Sequence, residues 1–391
     1  GGQPGASGPQ VGRRAPASAP LQHMSYDFPG GPGGQHVEPT TIRRLLSAPG
    51  GLVVPCFQRS YCWSRRQISD WFQVATRGVQ SGGSCGKVIL TRTAASKHGG
   101  QPPSLLIDGQ QRMCTSLLLL AAIRDAAKEH PSSDLRAQGL VDEIGQVLFA
   151  PSGGALRLTA SRWDREALAD LIANRPSPGS LLSDAKACFD GGFRRPRLWS
   201  SQQLAAVAAQ LLDRLPLMAV TWKDPLAACQ VYLWIQEKSL FSMAAQPDAT
   251  MLGVRFRALD LARNLLMSPF LSGSVEDQER AYEELWLPWQ AQFGSAAAAD
   301  AFLTAFARER SAEGGGKPSA LMVQLDGLAP LCLQGGISIE HICAYARFAA
   351  EFERLAAERG GEGATRALLS EMSAAARSVK APRMDDAGGT A

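Results

Sequence analysis

Two short runs hold most of the side chains in this sequence that could do chemistry. The first is Pro55-Cys56-Phe57-Gln58-Arg59-Ser60-Tyr61-Cys62-Trp63, and the second is Ile107-Asp108-Gly109-Gln110-Gln111-Arg112. An arginine presents a planar fork of donors that matches phosphate oxygens. A glutamine amide both donates and accepts, so it can fix a phosphate or a water. Asp108 suits a magnesium ion or the orienting of a water, because Mg²⁺ is usually held by one or two carboxylates together with phosphate oxygens. Gly109 permits a tight turn or a close backbone approach. Together the runs read as two walls of one nucleotide-phosphate site. Gln58, Arg59, Gly109, Gln110 and Arg112 are its candidate binding residues. Asp108 and Gln111 are its candidate catalytic residues, with Asp108 also the candidate Mg²⁺ ligand.

Each run must be positioned by the elements around it. Leu52-Val53-Val54 reads as a strand running into Pro55, which holds the chain extended and presents Gln58 and Arg59 at the strand's end. Ser64 and Gln67 have the spacing of a capping box, which starts a helix carrying Ile68, Trp71, Phe72 and Ala75 on one face. Lys87–Thr91 and Ser104–Ile107 read as strands. Arg112–Lys128 reads as a helix too apolar for the surface, hence a core helix. A strand, a glycine turn and a helix in succession aim backbone N–H groups at an anion, and Arg112 in the first turn adds to that field. The alternative is architectural: Arg59 pairs with Asp108, and the two glutamines cap the helix. Two such motifs at strand ends, separated by one crossover, favour the shared site. Tyr61 and Trp63 read as packing residues.

Further along, 142–149, 164–173, 182–189 and 201–212 read as helices, and Arg214–Trp222 alternates like a strand able to rejoin the sheet. From Ala227 to about Arg377 the pattern is helical, with breaks at Gln246-Pro247-Asp248, Pro269–Gly273 and Gly314–Pro318. The expected fold class is α+β: a small mixed sheet with flanking helices, followed by a mostly helical region. The expected organisation is a low-complexity tail over 1–35, a nucleotide-binding domain over 36–225, a helical region over 226–378 and a second tail over 379–391.

Composition narrows the function classes. The 391 residues carry a net charge of +4, which neither requires a nucleic-acid partner nor excludes a local basic face. Eight scattered cysteines without a Cys-x-x-Cys pair argue for free thiols and a reducing, intracellular compartment. Five scattered histidines make no metal-ligand spacing. No apolar run reaches the ~20 residues that span a bilayer, so no membrane partner is expected. The N-terminus lacks a secretory h-region, although its basic, acid-poor composition is compatible with organelle targeting. Gly314–Ser319 lacks the spacing of a P-loop and reads as a linker. Trp286-Leu287-Pro288-Trp289 reads as packing around a proline break. Arg43-Arg44, Arg65-Arg66 and Arg194–Arg197 read as solvated basic faces.

The Val54–Trp63 and Ile107–Arg112 runs resemble the N-terminal domain of GmrSD-type, modification-dependent restriction enzymes. The resemblance implies a fold similar to the ParB/sulfiredoxin group and a site that binds and hydrolyses NTP. It matches Gln58 and Arg59, then Asp108 to Arg112, residue for residue. It continues more weakly through Leu156-Arg157-Leu158, Trp163-Asp164-Arg165 and Leu259–Leu266, the last similar to a family helix with an Asp-Leu-x-Arg-Asn core. Three departures accompany it. The family's Asn-x-x-Gly turn has no counterpart in 234–257. Glu340-His341-Ile342 superficially fits a nuclease motif, but its neighbours have helical spacing, so His341 reads as a residue on a helix. No nuclease domain is expected to follow. The implied partners are a nucleoside triphosphate with Mg²⁺ and a DNA or protein partner; the alternative function is a non-catalytic, nucleotide-regulated binding module.

Overall fold

A computed structural model describes residues 35–78, 86–94, 101–151, 154–193, 199–233, 258–313 and 339–380. Six strands form one mixed sheet: β1 (Gln35–Thr40), β2 (Leu52–Val53), β3 (Lys87–Arg92), β4 (Ser104–Asp108), β5 (Leu158–Thr159) and β6 (Leu217–Trp222), in the order β1-β6-β3-β4-β2-β5. β3 runs antiparallel to β4, whereas β2 runs parallel to β4 and β5, and β3 parallel to β6. Both motifs therefore leave the sheet side by side, at the ends of the neighbouring parallel strands β2 and β4. The β3–β4 ladder has a register shift between Ile89 and Leu90, next to the Ile89–Asp108 pair. Such a bulge re-aims the residues beside it.

The apolar helix forms as expected but begins two residues earlier, as α3 (Gln110–Lys128), and all of it is buried except Arg112, Asp125 and Lys128. Gly109 explains the early start. Its φ of 103° puts the turn in the left-handed region, and a Cβ there would lie 2.7 Å from Val88 Cγ1. Around α3 pack α4 (Leu135–Leu148), α5 (Arg165–Ile172), α6 (Leu181–Phe193) and α7 (Ser201–Ala209). The capping box at Ser64 and Gln67 opens α2 (Arg65–Arg77), which buries Ile68, Trp71 and Ala75. α1 (Ile42–Leu46) is capped by Thr41. No helix among the described residues is long and apolar enough to cross a membrane; α3 itself carries Arg124 and Asp125 in its second half.

Two differences from the sequence reading have physical causes. β1 forms over Gln35–Thr40, where the sequence offers no strand signal, because its backbone pairs with β6, a strand almost two hundred residues away. The helix expected at 142–149 starts at Leu135, where the Asp134 carboxylate caps the N–H groups of Arg136 and Ala137.

Beyond the sheet, residues 225–233 are helical (α8), followed by α9 (Ala258–Met267), α10 (Val275–Ala281), α11 (Leu287–Gln290), α12 (Ala296–Glu313) and α13 (Ile339–Lys380), the last kinked at Gly360. His341 lies on α13. Trp286 and Trp289 are fully buried against each other, with Phe293 continuing the cluster. The two tryptophans are packing residues around Pro288. The expected breaks at 246–248 and 314–318 and the basic run at 194–197 lie outside the described residues, as do 1–34 and 381–391.

Candidate functional site

The 57–62 loop is held along its whole length by side chains from other elements. Arg263 Nε donates to the Phe57 carbonyl at 2.6 Å. Gln58 Nε2 donates to Ile107 O at 3.3 Å, tying the end of one motif to the end of β4. Gln110 Nε2 donates to Arg59 O at 3.3 Å, and Gln111 Nε2 to Ser60 O at 3.4 Å. Gln111 Oε1 accepts the Cys62 N–H at 2.9 Å. The Asp164 carboxylate accepts the Tyr61 N–H at 2.7 Å and the Ser161 hydroxyl at 3.1 Å. Tyr61 is buried, with its hydroxyl 2.8 Å from that of Thr115 on α3.

These bonds hold the two motifs against each other around a cavity of about 130 Å³, lined by Arg59, Trp63, Asp108, the 109–112 turn and Tyr232. Of the predicted residues, Arg59, Asp108, Gly109, Gln110, Gln111 and Arg112 all line it. Gln58 is buried beside it as a strap between strand ends, and its Oε1 meets no donor among the described residues. Gln110 and Gln111 reach the cavity with amides already committed to the loop, so their first role is to position Arg59. Arg112 lies beneath Gly86, where a Cβ would come within 2.8 Å of its guanidinium, and Nη1 donates to Lys87 O at 2.6 Å. That bond holds the fork in place while leaving most of its N–H donors uncommitted to Lys87.

The electrostatics favour an anion. Arg112 and Arg59 both act on the Asp108 carboxylate, and the first-turn N–H groups of α3 have no acceptor within the helix. Burial pushes the Asp108 carboxyl above the usual carboxylate range, against the opposing pull of Arg112, the Gly109 N–H and Arg59. Burial likewise raises the Asp164 carboxyl and the Cys62 thiol, the latter despite nearby Arg59. Cys62 is thus kept protonated and is a poor nucleophile.

A group whose acidity is weakened by folding contributes stability below its ordinary pKa, and loses that contribution as pH rises through the folded value. Asp108→Asn should therefore unfold at higher denaturant than the native chain at neutral pH, with the gap closing on the acid side of the carboxylate range. Urea midpoints measured across pH would check this, and a variant no more stable at neutral pH would contradict it.

Besides Asp164, two contributors come from outside the two motifs. Arg263 on α9 holds the Phe57 carbonyl while its Nη2 pairs with Asp260 at 2.7 Å. The Asp-Leu-Ala-Arg-Asn pattern flagged that helix but not its contact. Tyr232 was not singled out in the sequence: it belongs to α8, more than a hundred residues after Arg112, and has no local signature. Burial raises its phenol strongly, so it stays a hydroxyl.

Residues 42–187 match the family model described as GmrSD restriction endonuclease, N-terminal domain. The match includes both motifs, Trp63 and Asp164, and leaves Tyr232 and Arg263 outside it. No curated protein matches the chain.

Proposed function

Because residues 42–187 match the family model of the GmrSD N-terminal domain, we propose that this restriction-enzyme-related module binds a nucleoside triphosphate between its two motifs and hydrolyses it in the presence of Mg²⁺. The observation that carries the reading is the convergence of Arg59, Asp108 and Arg112 on one cavity at the start of α3. In this reading the two guanidiniums clamp phosphate oxygens, and the α3 N–H groups take a third side. Asp108 holds the attacking water or a metal. The water oxygen forms a bond to the terminal phosphorus, the bridging P–O bond breaks, and the products are nucleoside diphosphate, phosphate and a proton.

The donor set bears on the metal. Among the described residues no three His, Cys, Asp or Glu side chains are grouped to hold an ion. One carboxylate suits Mg²⁺ that arrives on the phosphate chain, where the phosphate oxygens complete its coordination. Such an ion would neutralise charge on the phosphate chain. Gln110 and Gln111 would hold the Arg59 wall in place, and Gln58 would strap it to the end of β4.

Thermal unfolding with and without Mg²⁺ and each of the four NTPs tests the binding step. Ligand at about 100 times its dissociation constant should add about 2.7 kcal/mol of stability, and chelating Mg²⁺ should remove most of that gain. No rise with any nucleotide would overturn the reading.

A second reading is favoured by one contact. Arg263 ties the loop that carries Arg59 to α9, so nucleotide occupancy would change how the helical region presents itself to a DNA or protein partner, without turnover. The commitment of both Gln111 amide atoms to the loop also fits a binding site better than a water-positioning one. Steady-state phosphate release separates the two readings, since only the first predicts it.

A further inference from the structure

The cavity is too small for a whole nucleotide. Its volume is about 130 Å³, against about 300–1,000 Å³ for sites that enclose a complete small molecule. On the phosphate-site reading it has room for phosphate groups only, and the remainder of a ligand would lie across its rim. Its lining divides by exposure. Gln110, Gln111 and Tyr232 are buried, whereas Arg59, Trp63, Asp108 and Arg112 keep part of their surface open.

Among those part-open residues the large apolar face is Trp63. Its place is closely determined. The preceding Cys62 N–H is held by Gln111, the following Ser64 caps α2, and the indole meets Trp71 in a T-shaped contact with centroids 5.7 Å apart. Trp71 is itself buried. An indole supported on one side and part-open beside a phosphate subsite is a preorganised stacking surface, since every nucleobase offers a π face.

We propose that Trp63 is the base-contacting wall of the site, so that it selects nucleoside polyphosphates over bare polyphosphate; this rests on the phosphate-site reading above. Calorimetric titration with the Mg²⁺ complexes of the four NTPs, of ribose triphosphate lacking a base, and of inorganic tripolyphosphate tests it. The native chain should bind its best NTP about ten-fold or more tighter than either base-free compound, the usual scale of one stacked base. Trp63→Leu should bring the NTP down to the tripolyphosphate level and leave tripolyphosphate binding unchanged, and Trp63→Phe should recover much of the preference. Equal affinity of the native chain for NTP and tripolyphosphate would overturn the proposal while leaving the phosphate site standing. So would a preference that survives in Trp63→Leu. If neither an NTP nor tripolyphosphate binds, the phosphate site itself fails and the proposal with it. The comparison on the native chain needs no variant, so it decides the matter even if Trp63→Leu does not fold.

Discussion

Replacing Arg263 by alanine should cost about 3 kcal/mol of stability and loosen the loop that carries Arg59. The side chain is 6% exposed and makes two short bonds, one to the Phe57 carbonyl and one to Asp260. Removing one partner of a buried ion pair costs about 3–5 kcal/mol. The lower end applies here because Asp260 is 21% exposed and can recover water. The Phe57 carbonyl, inside a buried stretch, recovers less. Lysine at this position keeps the charge but cannot reach two acceptors at an angle with a rigid fork, so Arg263→Lys should recover only part of the loss. Urea unfolding of the three chains checks the order. An Arg263→Ala chain as stable as the native one would show that α9 leans on the loop without holding it. A second readout separates positioning from plain stability: with both chains fully folded at low temperature, Arg263→Ala should bind Mg²⁺–NTP more weakly than the native chain.

Arg112→Ala should weaken Mg²⁺–NTP binding by at least ten-fold. A hydrogen bond to a charged group contributes about 1.5–3 kcal/mol, and about 1.4 kcal/mol is one decade of affinity. At a ligand concentration that gives the native chain about 2.7 kcal/mol of stabilisation, a ten-fold weaker variant gains only about 1.4 kcal/mol. The difference is therefore visible in thermal unfolding as well as in titration. Removing the side chain also deletes the bond to Lys87 O, a loss of about 1.5–3 kcal/mol that affects the ligand-free chain and is subtracted by measuring each protein with and without nucleotide. An unchanged dissociation constant would mean that Arg112 serves only to fasten β3 to α3, and the clamp would have to be assigned to Arg59 alone.

The two predictions concern different parts of one device. Arg112 belongs to the turn that lines the cavity, while Arg263 holds the opposite wall from outside the family-matched segment. Asp164, on the far side of the loop, and the two glutamines, from the start of α3, complete the support. The loop thus depends on the end of β4, the start of α3, Asp164 and α9, the last more than two hundred residues further along the chain, which is why a rigid site can be built on a stretch without regular structure.

What could be read from the sequence alone was whatever has a local cause. The capping box at Ser64 and Gln67, the glycine turn at Gly109, the apolar run that becomes α3, and the strand at the end of which each motif sits all follow from interactions spanning a few residues. The pairing of the motifs could also be inferred, because two strand ends separated by one crossover must lie near each other. Tertiary structure alone decided three things. It ordered β1, whose pairing partner is distant and whose own residues are mostly exposed. It turned the Gln110 and Gln111 amides onto the loop backbone, because the orphan carbonyls and N–H groups of a partly buried loop need partners. It brought Tyr232 to the cavity from α8 and Arg263 to the loop from α9. No short-range pattern predicts such contacts, since they exist only once the helical region has packed against the sheet.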